Sequence, residues 1–180
     1  MSATATPAVT LTSSQQVTLV LLRTLVGWHL FYEGYVKLLH PAWSRAGAPL
    51  ERFSSAPFLR AATGPFADLF HALAGSAWLP WIDAGVAAAL VVSGALLMLG
   101  LFTQAACALA FTLLALFYLA AIPLQGVPEP RAEGAYLIVN KNLVEAASVA
   151  VVFVFRTGRI AGLDCARRAG VRAAAREAST

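Results

Sequence analysis

The sequence predicts an all-α integral membrane protein: a four-transmembrane-helix bundle with a partly helical extracytoplasmic cap between its first and second spans. Three observations carry that expectation. The 180 residues are 59% hydrophobic and only 12% charged, whereas soluble domains average about 45–50% apolar and about 25% charged. No charged residue lies between Asp83 and Glu129, a stretch too long for one crossing of about 20 residues. The apolar segments lack the period-2 alternation of a membrane β-barrel.

Residues 1–16 carry no charged side chain and read as a cytoplasmic tail, without the basic stretch of a secretory signal. The first span covers about residues 17–39. Residues 40–81 form the outer cap, where Phe66, Leu69, Phe70 and Leu73 recur at helical spacing. Trp43, Trp78 and Trp81 suit the headgroup zone. The second and third spans, about 82–100 and 104–122, form a hairpin turned at Gly100, Thr103 and Gln104 and stopped by Pro123. The fourth span covers about 135–155, and residues 156–180 form an Arg-rich cytoplasmic tail. There is no internal repeat and no second domain.

Charge orients this arrangement. From Arg156 onward six arginines face two acids, which accounts for the whole net charge of +4. Lys and Arg concentrate on the cytoplasmic side, so the C-terminus lies there, and four crossings place the N-terminus there too. The basic balance therefore reports the tail and not a nucleic-acid surface. The tail itself reads either as a basic helix on anionic lipid or as a frayed topology signal.

Two spans contain polar groups. His29, Glu33, Lys37 and His40 fall at i, i+4, i+8 and i+11, one stripe along the first span. Lys141 and Glu145 are i, i+4 on the fourth, with Asn142 and Ser148 beside Glu145. Each span thus carries its own opposite-charge pair. Counted from the span ends at 1.5 Å per residue, Glu33 lies about 10 Å and Glu145 about 15 Å below the outer surface. A charge at the bilayer centre costs about 2.5–3.5 kcal/mol on insertion scales, so these groups are expected to turn inward and meet. Glu33 and Glu145 are the candidate catalytic acid–base groups. Arg23, His29, Lys37, Asn140, Lys141 and Asn142 are candidates for ligand binding or the surrounding polar network. Two readings stand side by side: a polar pocket open to the outer face, or ion pairs that only join the first and fourth spans.

Arg23 reads as a side chain snorkelling at the cytoplasmic end, although its spacing of 14 residues from Lys37 also permits an inward direction. Gly85, Ala89 and Ser93 form a small-residue stripe for close helix packing. Trp28, Tyr32 and Tyr35 read as interface anchors. Cys107 and Cys165 form no CxxC and read as packing residues. His29 and His40 share one span and His71 lies in the cap, so no haem pair is predicted. No metal site, flavin fingerprint, nucleotide loop or iron–sulfur spacing appears. A redox role would need electrons from a partner protein.

The segment RTLVGWHLFYEGYVKLL carries an R-x3-G-x6-G-x2-K layout at Arg23, Gly27, Gly34 and Lys37. NKNLVEAASVAVVFVFRTGRIAGLD adds NKN, Glu145 two residues after Leu143, and TGR-x2-GLD ending at Asp164. Together these resemble the DoxX/DoxD-like family over about residues 17–165. The resemblance implies a four-helix membrane protein. For DoxD-like members it implies the small membrane subunit of a thiosulfate:quinone oxidoreductase, and for other DoxX-like members thiol and oxidative-stress complexes. Arg23, Gly34, Lys37, Asn140, Lys141, Asn142 and Glu145 match family positions; Glu33 and His29 lie outside the pattern.

Two functions follow as expectations. In one, the chain is a redox-complex subunit whose outer-leaflet pocket binds a quinone headgroup. In the other, it is a structural anchor that docks or assembles a membrane protein complex. Expected partners are membrane lipid and protein subunits, with no nucleic acid. The expected location is the bacterial inner membrane, multi-pass, with both termini cytoplasmic.

Overall fold

The computed structural model describes residues 10–39, 53–63, 65–122 and 138–177. Among them the regular structure is helical: α1 (Ser13–Leu39), α2 (Ala56–Arg60), α3 (Ala67–Ala74), α4 (Leu79–Leu99), α5 (Thr103–Ala120), α6 (Lys141–Val154) and α7 (Leu163–Glu177), with a 3-10 turn at Thr157–Arg159. An isolated bridge joins Thr63 to Ala121. Residues 1–9 of the expected N-terminal tail, residues 40–52 of the expected cap with His40 and Trp43, and Pro123 lie outside the described residues.

The second and third expected spans correspond closely to α4 and α5, the two described helices long and apolar enough to cross a membrane. Only 28% and 39% of their apolar windows is buried within the protein, so most residues of each window are at least partly open. α1 begins four residues before the expected span and holds Arg23, Glu33 and Lys37 in its 27 residues. The fourth element is shorter than expected. Residues 135–137 lie outside the described residues, and α6 begins only at Lys141 and runs for 14 residues, about 21 Å at 1.5 Å per residue. The start is set by Asn140, extended at φ −128° and ψ 174°, whose side chain accepts from the Leu143 N–H at 3.0 Å. That is an N-cap, and it satisfies a donor the first helical turn would otherwise leave open.

α1 packs on α4, α4 on α5, α5 on α6, and α6 returns to α1. α1 and α5 run one way and α4 and α6 the other. Their shared core includes Leu30, Leu90, Leu97, Leu114, Val149 and Val152, each buried. α1 and α4 approach most closely. A Cβ on Gly34 would lie 2.7 Å from Val91 N and 2.8 Å from Ala87 O, and one on Gly94 would collide with Phe31 N and Gly27 O. The closest approach thus falls at Ala87 and Gly94; of the Gly85–Ala89–Ser93 row expected from spacing, Ser93 is buried and Ala89 packs on the core, while Gly85 has open space around its α-carbon.

α2 and α3 form a pair at the end of the molecule where α4 starts and α5 stops. Leu59, Ala62, Phe70 and Ala74 pack with Ala120 of α5. Polar latches fix the pair. The Ser55 N–H donates to Asp83 Oδ1 of α4 at 2.7 Å, and the Ser55 hydroxyl donates to the same oxygen. Thr63 donates through its N–H to Ala120 O at 3.0 Å and through its hydroxyl to Ile122 O at 3.1 Å, satisfying orphan carbonyls at the α5 C-terminus.

Replacing Gly94 by Ala is expected to destabilise the fold by about 1–3 kcal/mol, the usual cost of forcing volume into a close-packed contact. Gly85→Ala should be neutral or stabilising by up to about 1 kcal/mol, because it removes helix-interior glycine entropy without a clash. Thermal unfolding in detergent compares the two; equal destabilisation would contradict the α1–α4 contact.

Candidate functional site

The expected polar cluster forms between α1 and α6. Glu33 is its centre. The Lys37 ammonium, one turn on along α1, donates to Glu33 Oε2, and Lys141 Nζ of α6 reaches Glu33 Oε1 at 3.4 Å. His29 lies one turn back, with Nε2 4.0 Å from Glu33 Oε1 and Nδ1 3.1 Å from Glu145 Oε1. That second contact is in ion-pair range but poorly aligned, so the buried Nδ1 has no hydrogen-bond partner among the described residues. Spacing left open which partner pairs with which: Lys37 pairs with Glu33 within α1, and Lys141 crosses from α6 to Glu33. Ser148 donates to Val144 O within α6 and takes no part.

With His29 neutral, two carboxylates and two ammonium groups sum to zero. A cluster so balanced leaves no uncompensated charge, which is what a partly buried set requires. Because α6 starts at Lys141, Glu145 lies four residues, or about 6 Å, from the helix start.

The cluster forms one wall of a cavity of about 660 Å³. His29, Glu33, Lys37, Lys141, Asn142 and Glu145 supply the polar wall. The remaining walls are apolar and come from α2, α3, α4 and α5, including Phe58, Phe66, Phe70, Ile82, Leu113 and Phe117. Lys37 Nζ also lies 5.4 Å from the centre of the Phe53 ring, a cation–π contact. Sequence reasoning missed Phe53, Ser55, Phe58 and Asp83. Asp83 was the only available clue, a carboxylate at the mouth of an otherwise uncharged span. Its partner sits 28 residues away, beyond any helical spacing rule.

Three of the residues matched by resemblance lie elsewhere or act as supports. Asn140 caps α6, and its amide donates to Ala121 O at 3.3 Å, so it joins α5 to α6 and does not line the cavity. Gly34 is a contact point for α4. Arg23 is buried at the opposite end and does not snorkel: its Nη1 donates to Thr157 O at 3.2 Å and Ala161 O at 2.7 Å. The guanidinium also lies beside Gly100, where an added Cβ would meet its Cζ at 3.0 Å, at the C-terminus of α4, whose partial negative charge favours a cation.

TGR-x2-GLD builds this second centre. α5 begins after Phe102, in the left-handed region at φ 47°, whose side chain cannot cap. Asp164 replaces the missing cap from 62 residues away, accepting from Phe102 N–H, Thr103 N–H and the Thr103 hydroxyl, each at 2.9 Å. Its own N–H donates to Gly100 O at 2.8 Å. Gly100 (φ 63°) closes α4 in a Schellman turn, with Leu101 N–H donating to Leu96 O at 3.0 Å. Gly162 (φ 114°) lies against it so tightly that a Cβ would meet Gly100 Cα at 2.8 Å. Burial pushes the Asp164 carboxyl up, but three hydrogen bonds outweigh it and hold its pKa below the ordinary carboxylate value. The motif is a clasp that ties α1, α4, α5 and α6 together at one end.

No family model, curated protein or solved structure matches the chain.

Two predictions follow from the helix ends. Asp164→Ala should cost about 1–2 kcal/mol and Asn140→Ala about 1 kcal/mol, as for other cap losses, read by thermal melting. Because the folded pKa of Asp164 is depressed, its contribution is complete above about pH 4 and is lost as pH falls through the lower folded value. Melting temperature should therefore fall between about pH 5 and pH 3 less steeply in Asp164→Asn than in wild type; parallel curves would remove Asp164 from the clasp.

Proposed function

We propose that the chain is a DoxX-like membrane subunit of a respiratory or sulfur-related redox complex, and that the cavity beside Glu33 binds a quinone headgroup. The observation that carries this reading is the cavity itself. Its volume, about 660 Å³, falls within the 300–1,000 Å³ of ordinary ligand sites, which are mostly apolar with a few convergent polar groups. An apolar ring ligand with polar oxygens matches that division.

The membrane setting rests on α4 and α5. A core helix of a soluble protein is mostly buried, whereas only a minority of the residues in these helices' apolar windows are buried, and Val92, Leu99, Leu109, Phe111 and Leu116 are exposed. Lipid is the solvent such surfaces require. α1 and α6 complete four crossings of a bacterial inner membrane, with both termini cytoplasmic and the α2–α3 pair as the extracytoplasmic cap. In this arrangement the polar cluster, close to the start of the short α6, lies near the outer rim of the hydrocarbon, where a headgroup arrives from the outer leaflet.

A quinone, when bound, supplies two-electron, two-proton chemistry, with electrons from a partner protein. The chain's own residues handle position and protons. Lys37, Lys141 and Asn142 present N–H donors to carbonyl oxygens. Glu33, His29 and Glu145 form a line of proton-exchanging groups, with the unsatisfied His29 Nδ1 between the carboxylates. The aromatic and aliphatic walls exclude water and take the apolar part of the ligand.

The anchor reading has its own support. Arg23, Asn140 and Asp164 all serve helix ends, and Glu33–Lys141 joins α1 to α6. One experiment separates the two. Native mass spectrometry of the tagged protein, taken from its own membranes in mild detergent, should show a quinone-mass adduct together with a redox protein. Glu33→Gln and Glu145→Gln should each assemble normally and lower quinone turnover by about 10²-fold, the scale of a lost acid–base group. An empty protein whose carboxamide variants lose assembly and nothing else would establish the anchor instead.

A further inference from the structure

At the clasp end, opposite the polar cluster, an open groove of about 630 Å³ lies between the start of α5 and one face of α7. Its α7 side carries Arg167, Arg168 and Val171; its α5 side carries Phe102, Gln104 and Ala105. The two sides meet where Arg167 Cζ sits 5.0 Å from the centre of the Phe102 ring. Both apolar members are open to the surroundings, Phe102 at 54% and Val171 at 71% exposure. An arginine stacked on an exposed phenylalanine is held in place while its outer N–H groups remain directed away from the ring.

The charge of the groove is positive despite Asp164. That carboxylate accepts three hydrogen bonds from the α5 start, so its charge is offset by the helix end it caps. The same bonds use the Phe102 and Thr103 N–H groups, so an incoming anion would be held by guanidinium and not by the helix terminus. The surrounding sequence agrees: the six arginines and two acids from Arg156 onward hold the whole net charge of +4.

The groove continues into an apolar track. Ala105, Leu109, Thr112 and Leu116 follow Phe102 at steps of three and four residues along α5, and all four are exposed. Cations at one end and a long apolar stripe leading away match an amphiphile with an anionic head. A free phosphate or a nucleotide would use the arginines and leave the stripe without purpose. Because Asp164 ties α7 to the ends of α4 and α5, the arginines sit at the level where those apolar helices stop, which is where headgroups lie.

We propose that this groove seats an anionic phospholipid, its phosphodiester bound by Arg167 and Arg168 and an acyl chain lying along Phe102, Ala105 and Leu109. Arginine is suited to this because its planar fork binds phosphate oxygens in pairs. The inference rests on the membrane placement of α4 and α5 and is independent of the ligand in the other cavity.

The test uses the full chain in detergent, titrated with phosphatidylglycerol or phosphatidylcholine of identical acyl chains and read by native mass spectrometry. Wild type is expected to retain phosphatidylglycerol roughly 30-fold better, the scale of two arginine–lipid contacts. Arg167→Ala with Arg168→Ala should remove the preference, while Arg156→Gln with Arg159→Gln, which removes the same charge outside the groove, should keep most of it. Equal loss in both pairs would overturn the site, as would displacement of the lipid by millimolar inorganic phosphate. Should the alanine pair not fold, Arg167→Lys with Arg168→Lys keeps the charge without the fork and should lose several-fold in affinity. Equal retention of the two lipids by wild type overturns the inference whatever the variants do. A protein that stays in solution without detergent would overturn both this inference and the membrane reading; one that needs detergent but shows no lipid preference overturns this inference alone.

Discussion

The contact on which the rest depends is the close approach of α1 and α4. Gly27 and Gly34 on one helix meet Gly94 and Ala87 on the other with no room for another carbon. Such a contact fixes the rotation and the height of α1 against its neighbour at once. With that rotation set, His29, Glu33 and Lys37 line the cavity and reach α6, while Arg23, on the same helix, reaches the carbonyls beyond the end of α6. A rotation of α1 by even one residue would move both ends off their partners. The glycines are therefore electrostatic determinants, although they carry no charge.

The two ends of the molecule solve opposite problems with similar means. At the clasp end, helix termini are packed against each other, and their free donors and acceptors must be met by something other than water. Asp164 supplies acceptors to the start of α5, and Arg23 supplies donors to the carbonyls after α6. Most of these bonds go to backbone groups, with the Thr103 hydroxyl adding one to Asp164. At the cavity end the charges meet one another across α1 and α6 and balance to zero, yet His29 keeps an unsatisfied nitrogen. Buried polar atoms without a partner among the described residues occur at both ends, at Arg23 Nε and Thr157 Oγ1 as well as at His29 Nδ1; what sets the cavity end apart is the apolar space beside its charges.

The α2–α3 pair gives the cavity its roof and most of its apolar character. It has little helix of its own, five and eight residues, too short to persist alone. Its place is held by Ser55 on Asp83, Thr63 on the α5 C-terminus, and Phe70 and Leu59 in a small core with Ala120. The cavity thus exists because polar latches at the ends of α4 and α5 hold apolar side chains away from the polar wall.

Helical class was legible in the sequence, and so were α4, α5 and the stripe of His29, Glu33 and Lys37. Each follows from local rules: an uninterrupted apolar run of helical length, a glycine turn, and a spacing of four residues that stacks side chains on one face. That Glu33 meets Lys141, and not Lys141 its own neighbour Glu145, was not legible, because the choice depends on how α1 is rotated against α6. Asn140 as a cap, Asp164 as the substitute cap of α5 and Arg23 as a buried donor were hidden for a related reason. A polar residue near an apolar run is a ligand group, a cap or a charge bound for water according to what stands opposite it. Periodicity fixes the face on which a side chain lies; only the packing of distant segments decides what that face meets, because the partners are brought together by backbone contacts that no local spacing records.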